Sequence, residues 1–132
     1  MEKNNTQRLC GMLGFAMRAG KVIIGTDQVI AAMRAGGGRR PRLVLVSATA
    51  SDATRKRIGF KCQYYTTPLA GLPFDGVTLG QRLGKTTTPA VIAVTDDRFA
   101  EEILAAEGIE TIAVKGSFPE GETGDADGSE DK

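Results

Sequence analysis

Apolar residues recur at helical spacing in five segments of the chain, and polar residues suited to helix capping mark where most of these segments begin. Thr6, Thr26 and Ser51 are the predicted N-caps of the first three helices. Asp96 or Asp97 is the predicted N-cap of the last helix. The predicted helices cover residues 6–19, 26–35, a stretch that follows residue 51, 76–84, and 97 to about 106.

Short runs with few polar residues predict strands over residues 42–46, 63–66, 90–95 and 109–114. The runs 42–46 and 90–95 are largely apolar throughout, which is typical of strands that helices cover on both faces. Residues 21–24 are interpreted as an apolar link, and residues 68–73 as a loop. The alternation of helices and strands predicts an α/β fold, a three-layer α/β/α sandwich around a four-stranded mixed sheet.

The 132 residues fit one domain, which we assign to residues 1–118. Residues 119–132 carry six acids and almost no apolar residue, so this segment is predicted to be an acidic disordered tail. The chain has no run of about 18 apolar residues, and its first residues lack the layout of a secretory signal. We therefore expect a cytoplasmic protein with no membrane partner. We also expect a monomer, although the sequence does not settle the oligomeric state.

The formal net charge of +1 hides a strong internal division. Residues 1–61 hold 12 bases and three acids, whereas residues 62–118 hold four bases and seven acids. A concentration of Lys and Arg suits a polyanion, because neutralising phosphates releases condensed counterions. The first half therefore indicates a polyanion-binding surface. The alternative is a solvated surface whose uneven charge has no role in binding.

The residue types present disfavour catalysis and metal binding. The chain has no histidine and only two cysteines, Cys10 and Cys62, which excludes histidine-based acid–base schemes and the usual zinc sites. Both cysteines sit among apolar residues, which favours buried free thiols over a redox role. The acidic pairs 96–97 and 101–102 fit a helix cap and its first turns better than a catalytic pair. We expect a non-catalytic protein with no cofactor and no metal.

Among the glycine-rich segments, the turn at Gly25 is the strongest candidate site. The run Gly-Gly-Gly-Arg-Arg at residues 36–40 lacks the Lys-Ser/Thr ending of a phosphate loop and follows a helix. A glycine-led turn into a helix instead leaves backbone N–H groups free to meet phosphate or base acceptors. The polar residues beside Gly25 are Thr26, Asp27 and Gln28, and the flanking cations are Arg18, Lys21 and Arg34. An ordinary capped helix would explain Thr26 and Asp27 equally well.

A family resemblance rests on the segments 13–21, 25–28, 32–36, 43–46, 54–62, 79–84 and 90–95. The first reads Leu-Gly-Phe-Ala-Met-Arg-Ala-Gly-Lys and the second Gly-Thr-Asp-Gln. Together they resemble the bacterial YlxQ-type branch of the kink-turn-binding ribosomal proteins. That superfamily includes the archaeal large-subunit protein called "seven-Ae" and the eukaryotic "thirty-e". The likeness covers nearly all of residues 6–114.

The resemblance implies a sandwich that grips a sharply bent RNA internal loop, the kink-turn, by its sheared G·A pairs. It also implies that the turn at residues 25–28 reads guanine edges, and that the loop at residues 84–89 packs against an extruded nucleotide. Distorted RNA exposes base edges that an intact A-form groove hides. The predicted RNA-binding residues are Arg18, Lys21, Gly25, Thr26, Asp27, Gln28, Arg34, Gly84, Lys85, Thr86, Thr87 and Thr88.

The chain departs from the family's pattern after the glycine. The family's best binders carry asparagine and glutamate and then a lysine one turn later, whereas this chain has Asp27, Gln28 and Ala31. An aspartate cannot donate to guanine O6, and its charge opposes nearby phosphate. The leading interpretation is a non-catalytic protein that binds ribosomal RNA or a structured regulatory RNA, with the ribosome as a candidate partner. The alternative is a protein-interaction module of the same fold with weak or lost RNA specificity.

Overall fold

The computed structural model of the protein describes residues 2–106 and 109–112. The described helices are α1 (Glu2–Arg18), α2 (Thr26–Ala35), α3 (Asp52–Tyr65), α4 (Gly76–Arg82) and α5 (Asp97–Ala105). The described strands are β1 (Val22–Ile24), β2 (Leu43–Val46), β3 (Leu69–Gly71), β4 (Val91–Val94) and β5 (Glu110–Ile112). A single 3₁₀ turn, Gly37–Arg39, follows α2.

All the described strands belong to one mixed sheet, in the order β1-β4-β2-β3-β5. β2 runs parallel to β3 and antiparallel to β4, so that Val46 lies opposite Gly71 on one side and Val91 on the other. β1 pairs antiparallel with β4, and β5 pairs antiparallel with β3. The register therefore brings the ends of β1, β2 and β3 and the start of β4 to the same end of the sheet.

Alternate residues of β2 contribute to two separate hydrophobic cores. Leu43 and Leu45 pack in the core formed with α1, α4 and α5, whereas Val44 and Val46 pack in the core formed with α2 and α3. None of the four is more than 1% exposed, as the largely apolar pattern of this segment predicts. Helices therefore cover both faces of the sheet, which makes the described part an α/β/α sandwich.

The predicted number of four strands is wrong, because the sheet has five strands in the described residues. The pattern predicts a link over residues 21–24, yet Val22–Ile24 is strand β1 and is paired with β4. It also predicts a loop over residues 68–73, which contains strand β3 at Leu69–Gly71. Three-residue strands are too short to show a period of their own, so only their pairing with β4 and β2 distinguishes them from loops.

The predicted strand over residues 63–66 is also wrong, because α3 continues to the second of its two tyrosines. Ile58 and Cys62, four residues apart, are 0% exposed and hold this helix against the sheet. Thr66 then ends the helix in the left-handed conformation, with φ 57° and ψ 48°. The β-forming tendency of the aromatic pair is overridden by the packing of the helix that contains it.

The helix caps agree with the prediction at two positions and differ at two. Ser51 and Asp96 each accept a hydrogen bond from a backbone N–H of the helix that follows, at 3.1 and 2.8 Å. α1 begins four residues before the predicted cap Thr6. Thr26 is the first residue of α2, and the cap position belongs to Gly25.

The predicted acidic tail over residues 119–132, and the last two residues of the predicted strand over 109–114, lie outside the described residues. Over the stretches 2–106 and 109–112, no helix has the length and apolar character needed to cross a bilayer.

Candidate nucleic-acid interface

The two segments predicted to bind RNA meet at the end of the sheet where β1 and β2 end and β4 begins, which we call the turn end. The Gly25 N–H donates to the carbonyl of Val91, and the Ser47 N–H donates to the carbonyl of Ala90, each at 2.9 Å. The loop of residues 84–88 leads directly into this point of β4. Segments about sixty residues apart in the chain are therefore neighbours at the turn end.

Gly25 has a backbone conformation that only glycine adopts without strain. Its φ is 108° and its ψ is 140°, a region closed to side chains by contact between the β-carbon and the backbone. The side-chain oxygen of Gln28 also occupies the space where a β-carbon would lie. The amide of Gln28 is thus folded back over Gly25, while Gln28 as a whole is exposed.

The first turn of α2 has no side-chain cap. Two other helices begin near the turn end, and both are capped. In α3 Ser51 accepts from the N–H of Thr54 at 3.1 Å, and in α4 Asp75 accepts from the N–H of Thr78 at 2.8 Å. The first N–H groups of α2 are therefore available to an external acceptor, at the positive end of the helix dipole.

The carboxylate of Asp27 forms an ion pair with Arg57 of α3, at 2.9 Å. The side chains are 77% and 42% exposed respectively, so the pair adds little to stability, roughly 1 kcal/mol or less. Its importance is electrostatic, because the guanidinium offsets the negative charge that Asp27 places beside the open end of α2. The repulsion of phosphate expected from the sequence is therefore reduced in the folded protein.

The loop of residues 84–88 is exposed along its whole length and is held against α4. The N–H of Lys85 donates to the carbonyl of Gly80 at 2.8 Å. The Thr87 carbonyl lies so close to Gly80 that a β-carbon there would collide with it. Gly84 has a positive φ of 74°, which begins the turn away from the helix. The loop therefore has a defined position although its side chains face solvent.

The remaining predicted cations lie away from the turn end. Lys21 precedes β1, and its carbonyl accepts from the N–H of Thr95 at the opposite end of the sheet. Arg18 ends α1 and stacks over the ring of Phe15, with 4.8 Å between the guanidinium carbon and the ring centroid. Arg34 lies in the last turn of α2, roughly 12 Å along the helix from its start. The predicted RNA-binding residues therefore fall into two groups: those at the turn end, and the cations Arg18, Lys21 and Arg34, which lie away from it.

Sequence reasoning missed the contribution of the segment between β2 and α3 to the turn end. Arg55 donates to the carbonyl of Ser47 at 3.0 Å, and it also reaches the carbonyls of Ala48 and Ala50. The hydroxyl of Thr49 accepts from the first N–H of α4 at 3.1 Å. The cluster of bases at residues 55–57 was visible in the sequence, but its position beside α2 depends on the order of the strands.

The two cysteine thiols have shifted pKa values. Burial raises the pKa of the Cys62 thiol well above its usual value. Burial also raises the pKa of Cys10, although the neighbouring Arg82 guanidinium opposes the rise. Both shifts favour the protonated thiol, which is a weaker nucleophile than the thiolate. Within the part of the chain that the structure describes, no three His, Cys, Asp or Glu residues form a group that could hold a metal ion.

Known proteins resemble this chain in both sequence and fold. The RNA-binding protein YlxQ of Bacillus subtilis is 39% identical over 94 residues, covering 71% of this chain and 89% of that protein. The solved structure of a protein with unknown function from Bacillus halodurans matches with a TM-score of 0.66 at 31% identity, covering 74% of this chain and 93% of that one.

A more distant likeness concerns the fold alone. The Giardia lamblia 15.5kD RNA binding protein matches with a TM-score of 0.60 at 12% identity, covering 77% of this chain and 82% of that one. The sequence profile of one family matches residues 7–104, from α1 to the end of α5, and so includes the whole turn end. The chain belongs to the ribosomal protein L7Ae/L30e/S12e/Gadd45 family.

Proposed function

We propose that the chain is a non-catalytic RNA-binding protein that recognises a kink-turn, or a similar sharply bent internal loop, in ribosomal RNA or another structured RNA. One observation carries the proposal: the turn at Gly25 and the loop at residues 84–88 are neighbours at the turn end. Membership of a ribosomal protein family, and a relative named as an RNA-binding protein, support the choice of RNA.

The chemistry of the turn end suits exposed base edges. The open N–H groups of α2 are donors for phosphate or for guanine O6 and N7. The hydroxyl of Thr26 and the amide of Gln28 can each donate and accept, while Asp27 can accept from a guanine imino or amino group. Arg57, paired with Asp27 at 2.9 Å, keeps the local field from repelling the RNA backbone. An extruded nucleotide would contact the threonine methyl groups and backbone of the loop.

The decisive experiment compares a kink-turn RNA with the same RNA whose G·A pairs are replaced by Watson–Crick pairs. Loss of a guanine-reading contact costs about 1–3 kcal/mol, so we expect the intact kink-turn to bind roughly 5- to 150-fold more tightly. Affinity measured by fluorescence anisotropy should also fall steeply as salt rises. Equal, weak binding of both RNAs would exclude kink-turn recognition.

Two substitutions test whether the turn end carries this discrimination. Thr26→Val removes one hydroxyl without changing the size of the side chain, and Lys85→Gln removes one loop charge. Each should weaken binding of the intact kink-turn, the first by reducing G·A discrimination and the second by lowering the salt slope by about one. Thr111→Val is the matched control, because Thr111 is an exposed threonine on β5, away from the turn end. An equal effect of Thr111→Val would argue against the proposed surface.

Ala31 offers a gain-of-function test. It is exposed on α2, one helical turn after Asp27, where the family's best binders carry a lysine. Ala31→Lys should tighten kink-turn binding by on the order of fivefold at 0.15 M salt, the contribution of one added phosphate contact. Ala35→Lys, which adds the same charge at the other end of α2, should have a smaller effect. Equal gains from both variants would show that only net charge matters.

A further inference from the structure

A second concentration of cations lies at the opposite end of the sheet, where β2 begins and β4 ends. Two recesses of about 420 and 520 Å³ adjoin there, and both are lined by Arg42 and Asp97. We call this surface the basic end. The cations beside the two recesses are Lys21, Arg39, Arg40, Arg42 and Arg98.

The carboxylates at the basic end do not neutralise these cations. Asp96 is engaged as the N-cap of α5, where it accepts from the backbone N–H groups of Arg98 and Phe99 at 2.8 and 3.2 Å. Asp97 is 70% exposed and meets Arg42 at 3.3 Å, a long contact for an ion pair. Among the described residues, five cations therefore face two carboxylates, and one of these carboxylates is already used by the helix.

Arg42 has a donor that the described part of the protein leaves unsatisfied. Its side chain is 23% exposed, and its Nε is buried without an acceptor among the described residues. A buried donor without a partner is unfavourable. Arg42 lines both recesses, where the terminal nitrogens of its guanidinium, rather than the buried Nε, can donate to a phosphate oxygen.

The glycine run at residues 36–38 positions two of the arginines. Gly36 and Gly37 have positive φ values of 68° and 80°, and the chain then makes a single 3₁₀ turn. Arg39 is the last residue of this turn. Its side chain donates to the carbonyl of Gly20, in the α1–β1 connection, at 3.3 Å. Arg40 follows and lines the smaller recess. The Gly-Gly-Gly-Arg-Arg motif, which matches no nucleotide-binding loop, thus folds the chain so that its arginines flank the recesses.

We propose that the basic end binds the phosphate backbone of a second RNA segment while the turn end holds the bent loop. This inference rests on the proposed RNA-binding function. The strands between the two ends are three or four residues long, which separates the ends by roughly 10–13 Å. Because the two ends face opposite directions along the strands, the protein can hold two RNA segments at once. The five cations beside the two recesses form a positively charged surface of the kind that the phosphates of a polyanion neutralise.

The test uses the full chain and a labelled RNA duplex of about 16 base pairs without an internal loop. Binding of this duplex is measured by fluorescence anisotropy with the turn end already saturated by unlabelled kink-turn RNA. We expect the duplex to bind under these conditions. The double variant Arg39→Gln/Arg40→Gln should weaken binding of the duplex about 15- to 30-fold at 0.15 M salt, and it should lower the salt slope by about 1.4–1.8. The same variant should leave G·A discrimination at the turn end unchanged.

The matched control compares Arg40→Gln with Arg8→Gln, which removes the same charge from an exposed position on α1 that lines neither recess. Equal losses from these two single variants would overturn the proposal. Displacement of the duplex by one equivalent of kink-turn RNA would also overturn it, because that amount fills the turn end and leaves no excess RNA to compete at the basic end. A polyglutamate peptide of matched charge that binds as tightly as the duplex would overturn the assignment to RNA. Loss of G·A discrimination with arginine-dependent duplex binding intact would count against the kink-turn proposal alone.

Discussion

Replacing Gly25 with alanine tests the central structural claim about the turn end. At φ 108° and ψ 140° the added β-carbon meets the local backbone, and it also meets the side-chain oxygen of Gln28. A non-glycine residue held in such a conformation costs about 1–3 kcal/mol. We therefore expect Gly25→Ala to lower the free energy of unfolding by that amount, and to weaken kink-turn binding because the start of α2 must shift.

The two sources of strain in Gly25→Ala can be separated by a double-mutant cycle with Gln28→Ala. Removing the Gln28 side chain relieves its collision with the new β-carbon but leaves the backbone conformation as strained as before. Most of the lost stability should therefore remain when Gly25→Ala is made in the Gln28→Ala background. Urea unfolding followed by circular dichroism gives each free energy.

Gly11→Ala provides a control with the opposite expected sign. Gly11 lies within α1, and a β-carbon there would have no neighbour among the described residues within 4 Å. Alanine at an exposed helical position is more stable than glycine by about 0.5–1 kcal/mol, so this variant should gain stability. The reasoning is refuted if Gly25→Ala is as stable as the parent, or if both substitutions change stability in the same direction.

Other predictions concern the loop, an acidic cap and the tail. Gly80→Ala should lower both stability and kink-turn affinity, because its β-carbon would displace the Thr87 carbonyl. Unchanged affinity in a folded variant would show that the loop is not part of the RNA site. The hydrogen bond from Thr78 holds the pKa of Asp75 below its ordinary value of 3.8. The stabilisation from this cap is therefore fully present above pH 3.8 and is lost as the pH falls through the lowered pKa. The stability difference between the parent and Asp75→Asn should therefore shrink in acid, and a constant difference would contradict this. Deleting residues 119–132, which carry six acids and one base, should tighten RNA binding at low salt, and equal affinity would show that the tail does not oppose RNA.

The long elements were predictable because their signals are local. The helices at residues 26–35 and 97–106 and the strand at residues 42–46 follow from apolar period, caps and unbroken apolar runs, and each matches the structure to within one residue or so. The errors lie where the local signal is weak. β1 and β3 have three residues each, and the tyrosines at the end of α3 have a tendency to form strands that the helix overrides.

The two segments of the candidate site were proposed from the sequence, whereas the positions of the flanking cations relative to them came from the structure. The turn at Gly25 is visible as a glycine between an apolar segment and a helix, and the resemblance to a family added the loop at residues 84–88. The sequence also grouped Lys21 with this turn, since they are four residues apart. Strand β1 lies between them and carries Lys21 to the opposite end of the sheet, beside Arg42.

The sequence by itself determined the periodic elements, the basic character of the first half and the glycine that the turn requires, because each of these depends only on neighbouring residues. Only the tertiary structure decided which elements are adjacent. Strand pairing brought Gly25 to Val91, the packing of α2 on α3 brought Arg57 to Asp27, and the register of β2 with β4 divided the cations between two ends. Such long-range contacts depend on the order of the strands, which no local pattern specifies.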